Sequence, residues 1–396
     1  VSDAIYTPAE LVEIRHYVDP IYFAGAIHEL LIIAFWVICL RFLVRPYYAW
    51  AVRTADRLAA RFPKVKTPVL DRVWRGPGWG AALLFTLAIV VTCNLIWEPA
   101  AFYFGFIRET AYAMTQISLG RFLWDYVKGQ IGGLLPVVAV AFGMFSLARR
   151  VKPWWQIIGA VGAVGLIASA AIDPYRAQVY VDQEPLPAGE LRDAISALMR
   201  KANIDFRDVV LEKTLTKSVR VQAYFAGKGP TRTIVVNDAL LKNLSTDEIV
   251  AAVGHEAGHV SESRWGGQLA STLALWLFMY VIEQLFRITA RRQWWGITER
   301  ADIRALPLIL AVFGLCNLAI SPFSAALQRE REREADQYGL RLTQNADAFA
   351  GMLTKAARVN KMDPDPPRWT VLKSWSHPPI RERLEAVEEW KRAGGG

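Results

Sequence analysis

Six long apolar stretches constrain this chain more than any other feature. They run roughly over 21–44, 80–104, 130–148, 154–172, 269–288 and 305–324. About 20 apolar residues in a helix cross the hydrocarbon layer of a bilayer. Inside that layer each segment must satisfy its own backbone N–H and C=O groups, which leaves helices as the spanning elements. The expected fold is mainly α, a polytopic membrane helical bundle of about six spans. The 130–148 and 154–172 stretches form a tight hairpin joined by Arg149-Arg150-Val151-Lys152-Pro153. The first span is too long for a cleavable signal peptide.

The formal net charge of +9 would suit a nucleic-acid binder. The basic residues, however, cluster in loops beside the spans and form no stripe, so a bilayer is the expected partner and nucleic acid is not. All three cysteines, Cys39, Cys93 and Cys316, fall inside spans. That argues against both a disulfide framework and a cysteine metal site. Loops 45–79, 149–153 and 287–304 hold sixteen Lys and Arg between them, whereas residues 1–20 and loop 105–129 hold four. The positive-inside rule places the sixteen in the cytoplasm. The remaining hydrophilic blocks then face outward, which fits a bacterial inner membrane with those blocks in the periplasm. The cytoplasmic face is the alternative.

Those blocks are 173–268 and 325–393, separated by a two-span hairpin at 269–324 that returns the chain to the side it left. The two blocks can therefore share a site. Residues 1–172 form an N-terminal membrane region with four spans, and 394–396 read as a disordered tail or linker scar. In the first block, 188–202 is an amphipathic helix and 206–215, 218–226 and 231–236 are β-rich, with a turn at Gly227-Lys228-Gly229-Pro230. Ser245 and Glu248 have capping-box spacing at the start of the next helix.

That helix carries His255-Glu256-Ala257-Gly258-His259, in a chain with five histidines. Residues four apart share a helix face, so two imidazoles can hold one zinc ion and the adjacent Glu can serve as general base toward a zinc-activated water. A catalytic zinc takes three protein ligands. The 325–340 helix offers Glu330, Glu332, Glu334 and Asp336, and charge arithmetic does not choose among them. Interleaved Arg329, Arg331 and Arg333 allow an equally good reading as a solvated, salt-bridged helix face.

The chain resembles the M48 metallopeptidases, most closely the integral-membrane Ste24-type (CAAX prenyl protease) branch, with HtpX a more distant cousin. The resemblance rests on VQAYFAGKGPTRTIVVNDALL ahead of the His-Glu helix, on Glu332-Arg333-Glu334-Ala335-Asp336 matching E-x-x-A-D, and on Ser376-His377-Pro378-Pro379-Ile380-Arg381-Glu382-Arg383-Leu384. It implies a gluzincin-like α+β zinc metallopeptidase domain with one Zn2+ per chain, held by His255, His259 and Glu332. Glu256 is then catalytic, with His377 and Arg383 as candidate oxyanion donors, and Asp336 orients a ligand His from behind. Gln222, Ala223 and Tyr224 match a strand that lies beside substrate, where the family usually has Asn in place of Gln222. The branch usually has seven spans and a cytosolic active site, so both the span count and the charge count differ from it here.

His28 and Glu29 are polar residues within a span, but they lie near its end, where snorkelling explains them. His16 reads as a surface residue. The expected function is a membrane-integrated zinc metalloendopeptidase acting on membrane-associated or lipid-anchored polypeptides, with room for a membrane protein partner. The alternative is a catalytically silent scaffold or binding subunit of a membrane protein assembly.

Overall fold

The computed structural model describes residues 5–62, 78–165, 182–261 and 265–394. The far part of the expected fourth span, the opening of the first hydrophilic block and the last two residues of the glycine tail lie outside the described residues.

Helix α1 (Pro8–Ile38) starts at a capping box in which the Thr7 N–H donates to Glu10 and the Glu10 N–H donates to the Thr7 hydroxyl. It continues through a π-helical turn (Cys39–Leu43) into α2 (Val44–Arg61). The segment expected as a loop from 45 is thus helical to Arg61, and Tyr47 on α2 hydrogen-bonds Thr92 on α3 (Trp79–Phe102). Next come α4 (Leu119–Arg150) and α5 (Trp154–Gly165). After the first hydrophilic block, α9 (Trp265–Arg292) and α10 (Leu306–Thr343) make the second hairpin. Five helical segments among the described residues are long and apolar enough to cross a membrane, and α5 is the described part of the expected fourth span.

Helix α10 joins what the sequence separates into a span and a charged helix. Pro322 lies inside it. A proline there removes one backbone donor, and the Leu318 carbonyl one turn back accepts instead from the Ser321 hydroxyl at 3.4 Å.

The hydrophilic block builds a four-stranded sheet ordered β1-β2-β4-β3. Its strands are β1 (Gln183–Pro185), β2 (Asp208–Glu212), β3 (Ala223–Ala226) and β4 (Thr233–Asn237). β2 runs parallel to β4, with Val210 opposite Val235, and β3 runs antiparallel to β4, with Ala223 opposite Val236. The strands are shorter than the sequence suggests because side chains claim the flanking backbone. Asp238 accepts from the Thr214 and Leu215 N–H groups, and Asn360 accepts from the Val221 N–H. Helices α6 (Glu190–Lys201), α7 (Asp238–Asn243) and α8 (Thr246–Ser261) complete this block. Helices α11 (Ala346–Val359), α12 (Arg368–Ser374) and α13 (Ile380–Arg392) complete the second. Helix α12 follows directly on the Pro-rich segment 363–367, and Pro367 precedes its first turn.

Two apolar cores result. One draws Ile14 and Tyr17 of α1 together with Ile195, Val236, Val253, Phe349 and Val387. The other gathers Cys39, Phe85, Phe145, Trp154 and Phe286. Beside it Arg149 donates to the Ala301 carbonyl, and Glu283 accepts from Trp154 and Arg300. The start of α1 belongs to the first core: Tyr6 donates to the Ala357 carbonyl and Tyr22 to Asp363. Thr115 likewise donates to the Lys217 carbonyl. Residues 5–22 and the 108–118 turn therefore share a face with the hydrophilic blocks, opposite the 149–153 and 292–305 turns.

Candidate active site

The geometry starts from glycine. Helices α8 and α10 cross where Gly254 and Gly258 face Ala335 and Gly339. A Cβ on Gly258 would come within 2.7 Å of the Ala335 Cα, and one on Gly339 within 2.9 Å of the His255 backbone N. A side chain on either glycine would hold the two helices apart. The crossing brings the α10 carboxylates onto the His face of α8.

Glu332, on the buried side of α10, takes both histidines: His255 Nε2 lies 3.3 Å from its Oε2 and His259 Nε2 lies 3.3 Å from its Oε1. The two imidazoles stand nearly perpendicular, with ring centroids 4.9 Å apart. One turn further along α10, Asp336 Oδ1 lies 2.8 Å from His255 Nδ1. That contact occupies Nδ1 and leaves Nε2 for the Glu332 side. Asp336 is itself gripped by Arg383 of α13, which donates from Nε at 2.8 Å and from Nη2 at 2.6 Å. Both partners are buried. Arg383, a candidate oxyanion donor on the sequence, is thus committed behind the histidines.

Electrostatics follow from this packing. Burial opposes charge on His255, but the Asp336 and Glu332 carboxylates push it up to about 9. Burial holds the Glu256 carboxyl above its ordinary range, against the pull of His255 and His259. One ligand atom each from His255, Glu256 and His259 lies within 4.8 Å of the others. A third histidine comes from the bend between α12 and α13. His377 Nε2 lies 3.3 Å from Glu332 Oε2, and its Nδ1 lies 2.9 Å from the Ser376 hydroxyl. The ring is half-exposed, and burial lowers its pKa against the attraction of Glu332.

Residues 185–391 match peptidase family M48, a stretch that spans the sheet, the His-Glu helix, α10 and α13. The chain belongs to peptidase family M48. It is 32% identical over 271 residues to the uncharacterized metalloprotease YhfN of Bacillus subtilis, a match that covers 64% of this chain and 63% of that relative. It is 25% identical over 346 residues to a CAAX prenyl protease 1 homolog of Oryza sativa, covering 81% of this chain and 79% of the relative. Its fold matches the crystal structure of S. mikatae Ste24p with a TM-score of 0.71 at 18% identity, over 91% of this chain and 99% of that one. The M48 domain here is therefore carried on a multi-pass, Ste24-type helical bundle.

A metal fits this M48 site. Glu332 Oε2 is buried and makes no hydrogen bond, although the Nε2 atoms of His255 and His377 approach it. Two imidazole nitrogens and a carboxylate, one ring fixed from behind by Asp336, are a donor set that suits a divalent metal.

Strand β3 is an edge of the sheet and packs against α8. Ala223 and Tyr224 lie in it, and Gln222 immediately precedes it with an exposed side chain. The Gln222 N–H donates to Asn237, and the Tyr224 hydroxyl is used inside the sheet, donating to Glu212 at 2.6 Å. A cavity of about 770 Å³ leads from His259 and Glu332 between α9 and α10, with Ala270, Ile320, Phe323 and Leu327 among its walls.

Sequence reasoning missed Arg329. It is buried and donates from Nη1 to the Val371 carbonyl at 2.6 Å and the Trp375 carbonyl at 2.9 Å, so it anchors the segment that leads into His377. The salt-bridge pattern read for this helix concealed it, and within the helix only Arg333 makes such a pair, with Glu330. His28 packs edge-on against Trp97, and Glu29 accepts from Asn317 at 3.4 Å, so neither joins the site.

Proposed function

We propose that this protein is a membrane-integrated zinc metalloendopeptidase that hydrolyses peptide bonds of membrane-associated or lipid-anchored polypeptides. The convergence of His255, His259 and Glu332 beside Glu256, at the mouth of a largely apolar cavity between two membrane helices, carries this reading. Zinc held by those three residues would supply Lewis-acid polarisation of the peptide carbonyl and a water acidic enough to attack near neutral pH. Glu256, raised in pKa by burial, takes the proton of the attacking water and delivers it to the leaving amine. His377, half-exposed on the Glu332 side, donates a hydrogen bond to the developing oxyanion. Asp336 and Arg383 hold His255 in the required tautomer and orientation. Edge strand β3, from Gln222 through Ala223 and Tyr224, offers backbone groups to an extended peptide.

The Lys and Arg distribution supports an active site on the periplasmic face of a bacterial inner membrane, with the cytoplasmic face as the alternative. A cytoplasmic site would appear as protection of an engineered cysteine at Thr115 from impermeant reagent added to the periplasmic side. The main test is cleavage of a pool of membrane-anchored peptides by the purified protein, beside Glu256→Gln and a chelated, zinc-restored sample. Cleavage that requires zinc and is lost in Glu256→Gln supports the peptidase. Zinc binding without turnover on any peptide supports a silent scaffold.

A further inference from the structure

Among the described residues, one arginine lines the cavity that opens from the site. Arg331 lies immediately before Glu332 on α10 and lines that cavity of about 770 Å³ with His259 and Glu332. Its guanidinium lies over Gly267 of α9, where an added Cβ would come within 2.7 Å of Arg331 Nη2. The missing side chain at Gly267 is what lets the arginine lie there.

The neighbouring arginines of this helix are committed: Arg329 to the Val371 and Trp375 carbonyls, and Arg333 to Glu330 and Glu382. Arg331 differs from both. It makes no hydrogen bond or ion pair among the described residues, and it is only partly exposed. Glu332, the other formal charge on the cavity wall, is taken by the histidines. Around Arg331 the wall is neutral or apolar, with Gln328, Leu327 and Phe323 nearby in sequence. A guanidinium offers five N–H donors in a planar fork that matches a carboxylate. A carboxylate held by that fork makes charge-assisted hydrogen bonds, which are stronger than neutral ones.

We infer that Arg331 is a specificity-determining residue that receives a carboxylate of the substrate, from either an acidic side chain or a free C-terminus. The inference rests on the peptidase reading for the word substrate, but its test does not require turnover. Full-length Glu256→Gln protein in detergent is titrated with three membrane-anchored peptides of one sequence. One is neutral with an amidated C-terminus, one has a free C-terminal carboxylate, and one is amidated with a single Gln replaced by Glu.

A carboxylate peptide is expected to bind about ten- to a hundredfold more tightly than the neutral parent. Adding Arg331→Gln is expected to bring that ratio close to one, whereas Arg331→Lys retains part of it. The free-acid arm identifies a C-terminal carboxylate and the Glu arm an acidic side chain. Equal binding of all three peptides overturns the inference. So does a preference that survives Arg331→Gln in protein with an unchanged melting temperature. Cleavage by the unsubstituted protein is scored separately, and its absence counts against the peptidase reading alone.

Discussion

Gly258 and Ala335 touch backbone to backbone: a methyl group on the glycine would sit 2.7 Å from the Ala335 Cα and 3.0 Å from its Cβ. This contact sets the separation of α8 and α10, and with it the distance from both histidines to Glu332. Gly258→Ala is expected to cost about 1–3 kcal/mol of stability through overpacking and to lower the zinc retained per chain. Thermal melting and metal analysis after gel filtration check this. Gly266→Ala, with nothing within 4 Å, is the control and is expected to change stability by less than about 1 kcal/mol. Equal behaviour of the two variants would refute the close-packing argument.

The Asp336–Arg383 pair separates two roles for the arginine. If Arg383 acts by holding Asp336, Asp336→Asn and Arg383→Lys should both weaken metal binding, by about ten- to a hundredfold. A direct role toward the oxyanion would lower kcat in Arg383→Lys and leave metal affinity unchanged. Competition with a chromogenic chelator reads the difference.

Arg329 is expected to serve catalysis only through His377. Arg329→Met releases the Val371 and Trp375 carbonyls and should lower kcat about ten- to a hundredfold, with metal retention kept. In a His377→Ala background the same change should add little, because the residue it positions is gone. Additive losses in the double variant would show that Arg329 acts elsewhere.

Glu248 ties the start of the His-bearing helix to α11. Burial opposes its charge, but Lys355 Nζ at 2.7 Å and the Ser245 N–H at 2.7 Å hold its carboxyl below the ordinary range. A carboxyl lowered in the folded state stabilises fully above its unfolded value, and that contribution fades as pH falls through the folded value. Glu248→Gln is therefore expected to cost about 1 kcal/mol near pH 7. The difference in melting temperature should shrink as pH drops below about 4. A constant difference down to pH 3 would contradict this assignment.

The parts of the fold legible in the sequence are those written in local pattern. The apolar stretches give the membrane helices, and Ser245 with Glu248 gives the capping box that starts α8. The His255–His259 spacing gives the metal face. Chain length shared between elements was less legible. Nothing in the sequence around Val44 or Pro322 marks whether a helix stops or continues, since packing and a serine hydroxyl decide it. The choice among the four carboxylates at 330–336 also needed tertiary information: Glu332 is buried and Glu330 exposed only because Ala335 and Gly339 turn one face of α10 onto α8. Gly254 and Gly258, four apart, were a visible sign of close helix contact, hidden within a motif read for its histidines.

Helix α10 carries a last consequence. One unbroken run from Leu306 to Thr343 begins among membrane helices and ends beneath His255. A cut that frees the hydrophilic blocks from the bilayer must sever this rod or strip the partners from its first half. The tyrosines at the start of α1 are anchored in the same core. The bilayer-embedded framework and the chemical centre thus share a helix and a core, and the two are expected to unfold together.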